Sequence, residues 1–276
     1  MEVQVPCSSK EAIPEANIEL FKIEGERYLL PSPEVFLKPH LSLGLDAFFH
    51  IGPAFRKEEK GHIHSSEFTI LEWYRASADY NDLINDCFEI LSWIYETLKE
   101  KIPALFQTAK TQKLVSQHYI ITVEEAFCKY AGWNPIKIHD ENRFEEDLVT
   151  KIEPALPQNG AVILKDFPAW ASSLSRIKES NPNICERFEL YLDGIELANG
   201  FSELLDSSEQ RLRFIEENQK RIERGLEPID LPERFLSALD SCPPSAGIAL
   251  GIDRLLMVMV GADHIKKVIL PLREHF

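Results

Sequence analysis

Residues 188–204 read FELYLDGIELANGFSEL, and the reading of this stretch decides the fold. Phe188 to Leu192 has the make-up of a strand. Asp193-Gly194 is the dipeptide best suited to a two-residue hairpin turn, and Ile195 onward reads as the returning strand. Acids interrupt this hairpin: Glu189, Glu196 and Glu203 stand where a buried sheet takes Val or Ile. A two-residue turn sets Tyr191 opposite Glu196 and Glu189 opposite Ala198, so those four share one face. Glu189 and Glu196 become diagonal neighbours, about 7–8 Å apart at the backbone. Carboxylates that close repel. A hard divalent cation would remove the repulsion, and magnesium takes one or two carboxylates together with phosphate oxygens. A solvated face explains two lone acids equally well. Asn199, Phe201 and Glu203 have the opposite parity to Glu196. A β-bulge near Asn199-Gly200 would bring both sets to one side, and bulges gather beside active sites.

Around this hairpin the chain reads as α+β. Strands are expected at 27–31, 47–56, 67–75, 161–166, 186–192, 195–204 and 246–250. Residues 79–102 form an amphipathic helix with Asp79 as N-cap; Leu83, Ile84, Cys87, Phe88, Leu91, Ile94, Tyr95 and Leu98 fall on one stripe. Residues 206–225 form another, capped by Asp206 and stopped by Gly225. Residues 103–160 read as a helical insertion with loops. Strands joined by hairpins predict a largely antiparallel sheet with helices packed on it.

Composition narrows the classes. With 276 residues, 44% of them hydrophobic, the chain can bury a large core. No apolar window of membrane-spanning length exists, and the N-terminus lacks a basic-then-apolar signal pattern. The five cysteines (Cys7, Cys87, Cys128, Cys185, Cys242) have no CxxC spacing, which argues for a reducing, cytoplasmic setting and against a zinc site. A net charge of −15 disfavours nonspecific nucleic-acid binding, which needs Lys and Arg for phosphate.

Two further stretches carry chemistry. In FRKEEKGHIHSSEFTILEWYR (55–75), two strands flank a charged, histidine-rich loop. Arg56 could clamp a phosphate or carboxylate through two donors. Phe68 could stack on a base and His64 could donate to a phosphate. Taken singly, a surface ion pair, a core ring and a solvated loop histidine explain these three as well. In SAGIALGIDRLLMVMVG (245–261), a glycine-rich strand runs into an apolar helix that carries Arg254. A guanidinium there requires an anionic partner, either a ligand or one of the chain's acids.

Together these motifs resemble the class II aminoacyl-tRNA synthetases along essentially the whole chain. FRKE with HSSEFTILEWY is similar to the second signature motif of that family, and GIALGIDRLLM to the third. FELYLDGIELANGFSEL resembles the stretch of the lysine-specific subgroup that holds magnesium and the amino acid, and Pro6 matches the proline that ends the first motif. The resemblance implies a class II synthetase-like catalytic domain over 1–276: an antiparallel β-sheet flanked by helices, without an anticodon-binding domain and without the first-motif helix. It implies ATP and Mg2+. Arg56 would bind the α-phosphate and substrate carboxylate, with Glu58 and His64 near the ATP. Phe68 and Arg254 would sandwich the adenine, making Arg56 and Arg254 the catalytic pair, and Glu189 and Glu196 would hold magnesium. Ser32, Glu34, Glu72, Tyr74, Asn199, Phe201, Glu203 and Ala249 would line an acidic pocket suited to a diamine. Ser-Pro-Glu at 32–34, Leu-Glu-Trp-Tyr-Arg at 71–75 and Ala249 in place of glycine resemble the branch that activates (R)-β-lysine and attaches it to a lysine of translation elongation factor P. Ser65-Ser66 stands where the family has Asn-Pro, and Pro39 where a basic residue is common. Three functional readings follow: that ligase, acting on (R)-β-lysine or lysine; a lysine–tRNA ligase-like enzyme; and a non-catalytic paralogue that binds a metabolite or protein. The first expects elongation factor P rather than tRNA as partner, and leaves homodimerisation open.

Overall fold

The computed structural model describes residues 1–103 and 115–269. Its strands are β1 (Ser8–Ser9), β2 (Lys22–Ile23), β3 (Arg27–Leu29), β4 (Ala47–Phe55), β5 (Glu67–Ala76), β6 (His118–Thr122), β7 (Ala161–Pro168), β8 (Ile184–Leu192), β9 (Ile195–Ser202) and β10 (Ser245–Gly251). Its helices are α1 (Glu34–Leu37), α2 (Tyr80–Lys101), α3 (Val123–Ala126), α4 (Glu141–Asp147), α5 (Ser207–Glu223), α6 (Glu233–Leu239) and α7 (Ile252–Val260). The chain divides into two compact units. One comprises residues 1–78, 203–253 and the part from 263; the other comprises 79–202 and 254–262.

In the first unit, β5 lies between β4 and β10 and is antiparallel to both. β1, β3 and β2 form a small separate antiparallel sheet. Leu37, Leu41, Phe48, Tyr74 and Cys242 make a buried apolar cluster, with the Phe48 and Tyr74 rings stacked 5.5 Å apart. α5 starts at Asp206, whose carboxylate accepts from the Ser208 and Glu209 amides. It stops before Gly225, which takes φ +77° as a helix-ending glycine does.

In the second unit, β9, β8, β7 and β6 lie side by side. The Asp193-Gly194 turn closes as expected: both residues take positive φ (53° and 74°), and Leu192 pairs with Ile195. Further along, the register departs from the sequence reading. Tyr191 faces Glu196, but Leu190 faces Ala198 and Glu189 faces Asn199. The extra residue is Leu197, so the bulge lies two positions before the expected Asn199-Gly200 site. Its effect is the expected one. Glu196 and Asn199, which a regular strand would point to opposite faces, share a face with Glu189 and Tyr191.

The 103–160 stretch is more than a helical insertion, although its residues 104–114 lie outside the described ones. It contains β6, which pairs with β7 in parallel, so the sheet is not wholly antiparallel. Val123, Phe127, Trp133, Phe144, Ile152 and Leu156 from this stretch pack with Val162, Leu164 and Tyr191. Val162 pairs with Tyr191 and Leu164 with Glu189, so the insertion covers the same face that carries the carboxylates. α2 packs on β8 and β9, and Asp79 caps it in a reciprocal capping box with Asp82. Its stripe is buried at Leu83, Ile84, Cys87, Leu91 and Tyr95, whereas Phe88, Ile94 and Leu98 are only partly covered. Among the described residues no helix is long and apolar enough to cross a membrane.

Candidate active site

Each unit gathers a set of the expected residues. In the first unit, the single turn of α1 puts Glu34 and Lys38 four residues apart, hence on one side. β5 presents Glu72 and Tyr74 on one face by strand alternation, and β10 sets Gly247 opposite Tyr74 and Ala249 opposite Glu72. Glu203 joins them because its amide donates to the Ser245 carbonyl at the start of β10, at 2.9 Å. A methyl group at Gly247 would overlap both the Glu203 carboxylate and the Tyr74 ring, so glycine there lets the two close in. The Ser32 hydroxyl donates to Glu72 at 2.6 Å, and the Tyr74 hydroxyl lies 3.5 Å from the other Glu72 oxygen.

This set is acidic and dry. Glu34, Glu72 and Glu203 are all buried. Burial first, and then repulsion by Glu34, push the Glu72 carboxyl up to about 8; Ser32 and Arg56 pull the other way. Burial and the neighbouring carboxylates also raise the Tyr74 hydroxyl. The sequence reading missed Lys38. Its Nζ lies 2.8 Å from Glu34 and 2.6 Å from Glu203, with no solvent exposure. Burial alone would lower its pKa, but Glu203 and Glu34 outweigh that and raise it, so Lys38 is an ammonium. The Glu34–Lys38 spacing was the available signal.

At the end of β4, the Arg56 amide donates to Ser66 across the loop. Its guanidinium lies 5.2 Å from the centroid of the half-buried Phe68 ring and 3.4 Å from Glu59. Glu58 is exposed and takes a positive φ of 66° where the loop departs. The His64 carbonyl closes that loop by accepting from Gly61. Arg56 thus has both the ion pair and the aromatic neighbour that its sequence context allowed.

In the second unit, Glu189 is buried on β8. One oxygen accepts from Arg187 at 2.8 Å and the other from the Tyr191 hydroxyl at 2.7 Å. Arg187 also donates to Asn199, at 3.2 Å, and lies over the Phe167 ring. Phe201 pairs across the strands with Arg187. Arg254, near the start of α7, donates to the Glu196 carbonyl at 2.9 Å and lies 3.4 Å from its carboxylate. A third acid, Glu153, comes from the insertion and lies 3.4 Å from the Tyr191 hydroxyl. Burial raises Glu189 and Glu153, and the Glu196 charge raises both further. Arg187 was not among the expected site residues, although it shares the strand parity of Glu189 and Tyr191. Glu153, 36 residues before Glu189, carried no local signal.

The donor chemistry here fits magnesium. Glu189, Glu196 and Glu153 offer hard carboxylate oxygens, whose mutual repulsion Arg187 and Arg254 offset in part and a cation would relieve further. Among the described residues no three acidic, His or Cys side chains converge as a complete cage. The remaining ligands would be phosphate oxygens or water, as magnesium prefers.

Residues 1–272 match the family described as tRNA synthetases class II (D, K and N). Proteins named elongation factor P–(R)-β-lysine ligase are similar over nearly the whole chain. The one from Vibrio parahaemolyticus serotype O3:K6 is 33% identical over 97% of this chain and 87% of its own. Those from Histophilus somni (strain 2336) and Klebsiella pneumoniae subsp. pneumoniae are each 35% identical over 98% of this chain and 87% of theirs.

Proposed function

The chain belongs to the class II tRNA synthetases of the D, K and N group, and from that premise we propose that it activates (R)-β-lysine with ATP and transfers it to a lysine of translation elongation factor P. The observation that carries this reading is the acidic cluster of buried Glu34, Glu72, Tyr74 and Glu203 with half-buried Ser32, and with Ala249 paired across the strands to Glu72. An acidic, desolvated pocket selects a substrate bearing ammonium groups. The near full-length likeness to ligases of that name supports the same reading. The setting is cytoplasmic.

In the first step an oxygen of the substrate carboxylate attacks the α-phosphorus of ATP, and pyrophosphate leaves. The carboxylate is already ionised at neutral pH, so the step needs positioning and charge neutralisation rather than a general base. Arg56 would hold the carboxylate and the α-phosphate through its two-pronged guanidinium, and Arg254 the adenine and γ-phosphate. Phe68, His64 and Glu58 would complete the ATP contacts, and Asn199 and Phe201 the amino-acid side. Glu189 and Glu196 would hold magnesium, which supplies charge neutralisation for the phosphates. In the second step the neutral ε-amine of the acceptor lysine attacks the acyl carbon, AMP leaves, and the amine gives up a proton as the amide forms.

Glu196→Gln is expected to lower pyrophosphate exchange about a hundredfold, with partial recovery at raised Mg2+. Exchange within threefold of wild type would remove Glu196 from the metal. Ala249→Gly tests the choice of isomer. One methyl in a tight pocket shifts discrimination by about tenfold or more, and Ala249 pairs directly with Glu72. The wild type is expected to prefer (R)-β-lysine, and Ala249→Gly to move the preference toward α-lysine with ATP binding unchanged. Labelled product should appear on elongation factor P. Labelling of tRNA instead, or a wild-type preference for α-lysine that Ala249→Gly leaves alone, would replace this reading with a lysine–tRNA ligase-like one.

A further inference from the structure

Lys38 places a permanent ammonium among acids that the proposed function assigns to a substrate's amines. Glu34 approaches it from α1 and Glu203 from beside β10, and the Phe235 ring lies 5.2 Å from Nζ. Its backbone is also fixed, since the Lys38 carbonyl faces the Cys242 thiol at 3.7 Å. Lys38 and Glu203 have no side-chain exposure and Glu34 has 10%, so neither water nor salt can screen these charges. Three carboxylates in one dry space repel and would move apart or take up protons. With one internal ammonium, three acids keep a net negative charge and can still receive an external ammonium.

We propose that Lys38 is a positioning residue for substrate binding: its ammonium holds the Glu34 and Glu203 carboxylates in place, so that the pocket is assembled before the diamine arrives. The inference rests on the reading of this pocket as a diamine site, and it assigns Lys38 no contact with substrate or with the reacting atoms. A plain core ion pair would affect stability alone. A positioning residue acts on the KM of the diamine and leaves that of ATP, and its loss is repaired by any small cation that fits the vacated space.

The test is ATP–pyrophosphate exchange with (R)-β-lysine and with α-lysine. Lys38→Ala is expected to raise the KM of the preferred diamine about a hundredfold, since breaking one side of a buried charge pair is costly, while the KM of ATP hardly moves. Propylammonium, which replaces the deleted atoms, is expected to restore most of the loss. Lys38→Met is the folding control. It fills the space of the stem, should keep the fold, and should show the raised KM without rescue by the amine. A wild-type diamine KM in either variant, or a folded Lys38→Ala protein whose defect propylammonium leaves unchanged, overturns the inference. A wild type that exchanges with no diamine overturns the functional reading instead, and does so before any substitution is made.

Discussion

Arg56→Ala is expected to lower adenylate formation by about 10³–10⁵-fold, the range in which a charge-stabilising arginine acts in phosphoryl transfer. Of the expected site residues it is the one best placed to change partners. Its side chain is 28% exposed, its ion pair with Glu59 is 3.4 Å long, and its guanidinium lies 5.2 Å from the Phe68 ring centroid. Moving from Glu59 to a phosphate would exchange a long single contact for a two-pronged charged one. The loss should cost the fold little, because a half-buried pair at 3.4 Å contributes little to stability. Thermal unfolding of Arg56→Ala should therefore match wild type while pyrophosphate exchange collapses. Arg56→Lys keeps the charge but not the fork, and should recover only a small part of the rate. Exchange by Arg56→Ala within tenfold of wild type would show that Arg56 is only a surface ion pair.

The hairpin was legible because local chemistry decides it. Only residues that tolerate positive φ close such a turn, and Asp193-Gly194 does so at 53° and 74°. The caps of α2 and α5 were legible for the same reason: Asp79 and Asp206 satisfy amides within their own first turns. The bulge was legible in effect but not in place. The positions of Glu196 and Asn199 demand one extra residue between faces, yet Leu197, which supplies it, has nothing in its chemistry to mark it. β6 was hidden because a strand pairing in parallel shows its partner only in three dimensions. Glu153 was hidden by distance along the chain. It reaches the carboxylate face because the insertion's apolar residues pack on Val162 and Leu164, the residues paired with Tyr191 and Glu189. The burial that raises Glu189 is thus supplied by a segment that the hairpin alone could not reveal. Lys38 is marked in the sequence only by its spacing: a lysine four residues after Glu34 lies on the same side of a helical turn and can pair with it.

Glu72 couples the acidic pocket to pH. Its carboxyl is raised from near 4.5 to about 8, by burial first and then by Glu34, with Glu203 adding to the effect and Ser32 and Arg56 opposing it. A group whose pKa is raised on folding contributes stability that is complete below its unfolded pKa and is lost as pH rises through the folded one. The wild type should therefore lose stability between about pH 4.5 and pH 8, by several kcal/mol for a shift of this size. Glu72→Gln keeps the side chain's shape, cannot ionise, and should flatten that part of the profile, melting above wild type at pH 9. Substrate reverses the balance. An ammonium beside Glu72 favours the ionised carboxylate, so binding at pH 7 should release a proton, and the KM of the diamine should fall as pH rises toward 8. Glu72→Gln should raise that KM about a hundredfold or more, the cost of leaving a desolvated ammonium without its counter-charge, and remove its pH dependence while the KM of ATP holds. Calorimetry in buffers of different ionisation enthalpy would count the proton directly. If diamine binding at pH 7 releases no proton and Glu72→Gln melts with the wild-type pH profile, then Glu72 is already ionised in the unliganded pocket, and the charge that balances it must come from Arg56 rather than from the substrate.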